Sequence, residues 1–359
     1  MTISRRTLLG SAAGAIALPA TRARAQSRPK IRILVMTDLS GTYRDNTGPT
    51  SVAASQIAMD EVMAGGRDFD VEITSVDHQN KPDIGAALAR QALDSGVDVI
   101  ADVPTSSVAL AVAQVCHEKD RIHLNASATV ASLTGEQCQP TTIVWSFDTY
   151  SNAKSTGGAM VKNGGDSWFF ITADYAFGHS LEDLTRSFVE KGGGKSLGAI
   201  RYPFPDTTDF SAFLQQAAAS GAKVLGTESF YWDLNEGTRR FTKKVIARTP
   251  ANYPNQAQAS SYSSVLHYLK TVSAMGAAEA KKSGAATVAR MKAMPTEDDA
   301  FGKGSVGANG RGVFPAYLFE VKKPEEVKYP WDYYKLVATT PGPEAVRPLA
   351  ETGCKFIRS

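Results

Sequence analysis

The sequence predicts an α/β protein of two doubly wound, Rossmann-like lobes, the second of them short. Three observations predict it. Ile31, Ile33, Leu34, Val35 and Met36 form a nearly unbroken β-prone run, as in a strand buried on both faces of a parallel sheet. A polar, turn-rich stretch from Asp38 to Gly48 leads into a helix, where Pro49 suits the first position and Ala54, Ile57, Ala58 and Val62 share one face. Strand and helix then alternate along a chain of 359 residues, more than one compact core usually serves.

The elements follow in order. Val71 to Val76 reads as a strand, and Pro82 opens a helix that Gly96 closes. Val97 to Val103 is the next strand. Ser106 or Ser107 is expected to cap a helix carrying Val108, Ala111, Val112 and Val115 on one face. Ile122 to Leu124 and Ile143 to Phe147 complete five strands, enough for one lobe. A second series has Trp168 to Thr172, a helix from Ser180 to Lys191 stopped at Gly192, Leu197 to Tyr202, a helix ending at Gly221, and Lys223 to Tyr231. Only three strands appear there before Pro250 and Pro254, so this lobe is short. Tyr262, Val265, Leu266 and Leu269 mark an amphipathic helix, Thr296 to Gly312 reads as loop, and Tyr317 to Val321 with Tyr333 to Val337 as a hairpin.

Residues 1–25 read as an export signal rather than as part of the fold. Ser4-Arg5-Arg6-Thr7-Leu8-Leu9 precedes a weakly apolar Gly/Ala-rich run too short to span a bilayer, and Ala23-Arg24-Ala25 is an A-x-A cleavage site. The paired arginines favour the twin-arginine route over the general secretory one. The whole chain carries +3 and the leader holds four arginines and no acid, leaving −1 on the remainder. No basic tract remains for nucleic acid. A protein outside the cytoplasm is expected, and a monomer.

That compartment permits disulfides. Cys116 lies in an apolar helical pattern and reads as a buried free thiol, whereas Cys138 and Cys354 lie in polar loops and are the favoured pair. Sequence alone does not fix the pairing.

Several patterns point toward chemistry and fail on context. Gly192-Gly193-Gly194-Lys195-Ser196 resembles the end of a P-loop, but it follows a helix and has Val189 where the first glycine belongs. Gly302-Lys303-Gly304-Ser305-Val306-Gly307 matches G-x-G-x-x-G without a preceding apolar strand. His78, His117, His123, His179 and His267 stand apart, with no metal-ligand spacing. No nucleophile elbow or paired-carboxylate motif occurs. Neither an enzyme nor a cofactor is indicated.

What remains is a set of polar and aromatic residues just after strands: Ser40, Tyr43 and Arg44, then Thr105 and Ser106, then Ser127 and Thr129, then Tyr175 and Phe177. Ligands of open α/β sheets sit at these strand ends. Hydroxyls and helix N-terminal N–H groups suit a carboxylate, and rings supply an apolar wall.

These residues resemble a family. Asp38-Leu39-Ser40-Gly41 after the first strand, Pro104-Thr105-Ser106-Ser107 after the third, Ala126-Ser127-Ala128-Thr129 after the fourth and Asp174-Tyr175-Ala176-Phe177-Gly178 after the sixth are similar to the solute-binding proteins of ABC importers, leucine/isoleucine/valine-binding branch. The resemblance implies the type I periplasmic-binding-protein fold, two lobes joined by three crossovers that close on a ligand. It divides the chain into a first lobe of 28–147 and 254–312 and a second of 148–253 and 313–359. It implies that Thr105, Ser106, Ser127 and Thr129 hold the ligand's carboxylate and ammonium. Tyr43 and Arg44 fall where the family recognises the side chain, and Tyr175 and Phe177 where the second lobe adds an aromatic. One departure stands out. Val224-Leu225-Gly226 runs directly into Thr227-Glu228-Ser229-Phe230, where family members insert a strand–helix–strand–helix whose loops supply second-lobe contacts, including a group facing the ammonium.

The expected function is non-enzymatic capture of an amino acid or similar small carboxylate in the periplasm and its delivery to an inner-membrane ABC permease. Binding of aromatic carboxylates is the near alternative, since Tyr43, Tyr175, Phe177 and Trp232 offer flat surfaces. Further alternatives are a ligand-sensing module, a binding-impaired relative, and a degenerate periplasmic hydrolase.

Overall fold

The computed structural model describes residues 28–145, 147–162, 164–207, 209–220, 227–228, 230–250, 252–322 and 324–357. The expected leader lies outside the described residues, as do residues 223–226 of the strand expected from Lys223.

The first lobe is built from β1 (Lys30–Thr37), α1 (Gly48–Met63), β2 (Asp70–Asp77), α2 (Pro82–Asp94), β3 (Val99–Asp102), α3 (Ser106–Glu118), β4 (Ile122–Asn125) and β5 (Thr142–Val144). The strands form a parallel sheet of order β2-β1-β3-β4-β5, with Ile33 beside both Ile73 and Val99. The period of two along β1 explains the double winding. Ile31 and Ile33 face the core built with α1, while Leu34 and Met36 face the one built with α2 and α3. Each such side chain, fully removed from water, contributes about 1.5–3 kcal/mol.

The second series runs α4 (Thr149–Lys162), β6 (Ser167–Ala173), α5 (Ala176–Lys191), β7 (Lys195–Tyr202), α6 (Ser211–Ser220) and β8 (Thr227–Glu228). Helix α5 starts earlier than expected, at Ala176. Gly178 permits this, because a Cβ there would lie 1.9 Å from the carbonyl oxygen of Ala173. Strands β6 and β7 pair in parallel, and among the described residues β6 has no strand on its other edge. Only residues 221–226 separate α6 from β8, so the second lobe is short, as the strand count anticipates. β8 joins the expected hairpin, β12 (Ala316–Val321) and β13 (Tyr334–Thr340), in an antiparallel sheet of order β13-β12-β8.

Between them come α7 (Glu236–Ile246), α8 (Gln256–Met275), α9 (Ala277–Ala280), α10 (Gly284–Lys292), β9 (Thr296–Asp298), β10 (Gly302–Val306) and β11 (Gly312–Val313). Helix α7 belongs to the stretch 148–253; its Phe241 and Val245 sit in the core that α1 and α8 build. Helix α8 is buried nearly all round rather than on one face. Many of its buried polar residues are short hydroxyls that find partners inside: Ser260 donates to the Gln256 carbonyl at 2.7 Å, and Ser263 accepts from the Trp145 indole at 2.7 Å.

The segment 296–312 is not the loop expected from its glycines, because β9, β10 and β11 form an antiparallel sheet there. Its glycines make room for a ring, since a Cβ on Gly304 would meet Phe314 at 2.4 Å. The Gly192–Gly194 run ends α5 and turns into β7, with Gly193 at φ 91°.

Cys138 and Cys354 are bonded, with Cα atoms 5.6 Å apart, and tie the C-terminal segment back to the first lobe. Cys116 is free and buried.

Candidate functional site

The first side of the site is the β1–α1 loop. Asp38, buried at the end of β1, accepts from the N–H groups of Gly41 at 2.6 Å and Tyr43 at 2.8 Å, and from the Asn80 amide at 2.7 Å. Burial alone would raise its pKa, but the bonds from Asn80, Gly41, Tyr43 and Ser40 outweigh that and hold it below the usual carboxylate range. The Asp38 carboxylate thus folds the loop that presents Tyr43.

The β3–α3 turn supplies the floor. Asp102, Val103 and Thr105 have φ of 76°, 58° and 76°, a region costly for non-glycine residues and most of all for a β-branched valine. Such strain, roughly 1–3 kcal/mol per residue, persists only where surroundings over-determine it. Here Val103 N–H donates to the Met36 carbonyl at 2.8 Å, and the Thr105 hydroxyl donates to Asn80 Oδ1. The sequence suggests a side-chain cap on α3 at Ser106 or Ser107. The helix instead starts after Thr105 with no side-chain cap, and the Ser106 hydroxyl is engaged elsewhere. Ser106 Oγ accepts from the N–H groups of Thr129 at 3.4 Å and Val130 at 3.3 Å, joining the β3 and β4 loops. Ser127 donates to Asp102 Oδ1.

These bonds sort the cleft's polar groups by role. Thr105 and Ser127 have given their protons away and present lone pairs to a ligand. Ser106 has filled its lone pairs and has a proton to offer. Helices α3 and α5 both begin here without a capping side chain, leaving their first N–H groups for an acceptor.

The far wall is aromatic. The hydroxyls of Tyr43 and Tyr175 are hydrogen-bonded to each other across the cleft. Tyr175 stacks on Phe204 with centroids 4.4 Å apart and lies 5.8 Å from Phe177. Burial pushes the pKa of both phenols up, so both keep their protons.

The enclosed space is about 330 Å³. Tyr43, Thr105, Ser106, Ser127, Thr129, Tyr175 and Phe177 all line it, as does Pro104. Arg44 does not. Its guanidinium reaches Asp45 at 2.8 Å on the exposed surface. Ser40 is tied to Asp77 at 2.6 Å, and Trp232 donates its indole N–H to the Trp331 carbonyl at 2.9 Å, outside this cleft.

Asn46, at the end of the Asp38–Asn46 stretch where the sequence places a ligand, lines the cleft, as do Phe147, Asn152, Asn255, Gln256 and Ala257, which escaped the sequence reading. Asn255 had a signal, an N-cap with Gln258 three residues on, and the structure shows that reciprocal capping box. It also donates to the Asn46 side chain at 2.7 Å, which brings α8 to the cleft. Among the described lining residues none carries a charge. Asp102, buried beneath Ser127, is the near charge, and burial pushes its pKa up to about 6 against the hydroxyls around it. Among the described residues no group of three His, Cys, Asp or Glu could hold a metal ion.

The periplasmic binding protein model matches residues 30–227 and 222–326, two stretches that meet at the short second lobe. A crystal structure of a periplasmic binding protein from Burkholderia mallei is 35% identical with a TM-score of 0.84, covering 92% of this chain and 99% of that one. The periplasmic ligand-binding protein of a branched-chain amino acid ABC transporter from Burkholderia xenovorans LB400 is 31% identical with a TM-score of 0.78, covering 91% and 99%. A solute-binding protein of an ABC transporter from R. palustris, in complex with benzoate, shares the fold at 19% identity, with a TM-score of 0.79 and coverage of 91% and 99%. No curated protein matches the chain. The family match over most of the chain, the strand order and the cleft at the strand ends agree, and the chain belongs to the type I periplasmic binding protein family, in its leucine/isoleucine/valine-binding-protein-like branch.

Proposed function

We propose that this protein binds a small carboxylate carrying a neighbouring hydrogen-bond donor and an apolar or aromatic body, an amino acid first of all, and delivers it to an ABC permease. The division of roles in the cleft carries the reading. Ser106 and the starts of α3 and α5 are donors for a carboxylate, while Thr105 and Ser127 are acceptors for an ammonium or hydroxyl backed by buried Asp102. Tyr43, Tyr175, Phe177 and Phe147 enclose the body of the ligand. The 31%-identical relative from a branched-chain amino acid transporter supports the import role.

The second reading is an aromatic carboxylate without an ammonium, favoured by a lining with no charged side chain among the described residues. Thermal-shift and calorimetric titration with phenylalanine, leucine, benzoate and phenylacetate separates the two. Tight binding of the amino acids supports the first reading, and binding of the simple acids alone selects the second. Binding of none of the four removes both.

The rest of the reading follows. The leader is removed after Ala25 in the periplasm after twin-arginine export, the lobes cross near 147, 253 and 312, and the product is a monomer that leaves its ligand chemically unchanged. Export failing in a strain without the twin-arginine translocase is the expected result; unaffected export there assigns the general secretory route.

A further inference from the structure

We propose that the ligand site continues past Phe177 into a second cavity, so that the protein prefers carboxylates with an elongated apolar or aryl tail over compact ones. The proposal rests on the reading of the first cleft as the seat of the carboxylate. A cavity of about 310 Å³ adjoins that cleft, and Asn152 and Phe177 line both. The second cavity lies along β6, whose consecutive residues Phe170 to Ala173 line it, and below α5, which contributes Leu181 and Thr185.

Among the described residues β6 pairs only with β7, and no described strand lies along its other edge.

Its chemistry is that of a tail pocket. Trp168, Phe170, Leu181 and Tyr202 supply apolar surface. The one acidic lining residue, Glu182, is already held by Arg186 at 2.8 Å and Arg201 at 3.4 Å, so it asks for no cation from a ligand. Phe177, half-buried at the second position of α5, lines both cavities, and the proposed passage runs past its ring. A carboxylate held by α3 and Ser106 would thread its tail past Phe177 toward β6.

Matched ligand pairs test this on the purified chain: benzoate against 4-phenylbenzoate, and phenylalanine against 4-phenylphenylalanine. Burial of a further ring predicts that the longer member binds at least about tenfold tighter in one or both pairs. Leu181→Trp, which fills the second cavity, is expected to erase that advantage and leave the short member's affinity unchanged. Leu181→Phe is the milder version should the larger residue disturb folding. Short members binding and long ones binding no tighter overturns the second site while leaving the first intact. An advantage that survives both substitutions also overturns it. Binding of none of the four removes the underlying reading of the cleft, and the extension with it.

Discussion

Arg311 and Asp148 form a buried ion pair at 2.9 Å, their side chains only 4% and 3% exposed, between two segments far apart in sequence. Asp148 also accepts from the Ser151 N–H at 2.8 Å and so starts α4, while the Val144 N–H donates to the Gly310 carbonyl at 2.9 Å. The pair therefore ties the exit from β5 to the approach to β11, near two of the proposed crossings between lobes. Removing only the cation strands a buried carboxylate. Arg311→Met is expected to cost about 3–5 kcal/mol in urea unfolding, and adding Asp148→Asn, which keeps the bond to Ser151, to recover at least half. A single variant within 1 kcal/mol of wild type would show that the pair carries no such role.

Tyr43 and Tyr175 meet hydroxyl to hydroxyl across the cleft, one from each series of strands. A hydrogen bond of this kind is worth about 0.5–1.5 kcal/mol net. Tyr43→Phe keeps the ring against Phe204 and removes only that bond, so a roughly 2- to 12-fold weaker ligand affinity is expected by calorimetry, carried mainly by a faster off-rate. An unchanged off-rate would exclude the contact from closure.

Stability should depend on pH through groups of opposite sign. Burial pushes Asp102 up to about 6, so the folded state holds its proton longer than the unfolded chain and stability is lost as pH rises from about 4 to 6. Burial pushes His78 down to about 4 and His123 down to about 3, and their folded forms stay neutral, so stability is lost as pH falls from about 6.5 toward those values. Both ring nitrogens of His123 lack a partner among the described residues. Asp102→Asn is expected to match wild type near pH 4 and to exceed it by about 2–3 kcal/mol at pH 7, read from urea midpoints at each pH. A constant offset across that range would assign the effect to packing rather than to ionisation.

The Cys138–Cys354 bond closes a span of 216 residues and anchors the C-terminal segment, whose Phe356 ring lies 5.7 Å from His117. Cys138→Ser is expected to lower stability by about 2–4 kcal/mol, measured in oxidising buffer, with the loss matched by reducing the wild type. If reduction leaves the unfolding midpoint of the wild type in place, the bond does not stabilise the fold.

Much of this architecture is local in origin and therefore legible. The run Ile31 to Met36 shows its two-faced burial in its own composition, and Pro49, Pro82 and Gly96 mark helix ends by backbone chemistry alone. The same holds for the candidate site, because ligands of such folds meet residues just after strands. Tyr43, Thr105, Ser106, Ser127, Thr129, Tyr175 and Phe177 line one cleft, whereas Ser40, Arg44 and Trp232 do not.

Elsewhere the outcome depended on partners distant in sequence. Gly302 to Gly307 looked like loop because of its glycines, of which Gly304 makes room for Phe314, and the strand they form pairs with β9 and β11. Helix α8 looked amphipathic because serine counts as polar, yet hydroxyls such as Ser260 bond back to the preceding turn, Ser263 bonds Trp145, and the helix is buried nearly all round. Asn152 and Gln256 reach the cleft only through packing that no local pattern encodes.

The sequence by itself determined the strands of the first parallel sheet, most helix positions and which strand ends border the cleft, since each follows from apolar periodicity and backbone preference within a few residues. Tertiary structure alone decided which hydroxyls donate and which accept, that Arg44 turns away, and that Asn152 and Gln256 reach the cleft. Those depend on where separate segments come to rest, and hydrogen-bond partners and empty space have no counterpart in local sequence.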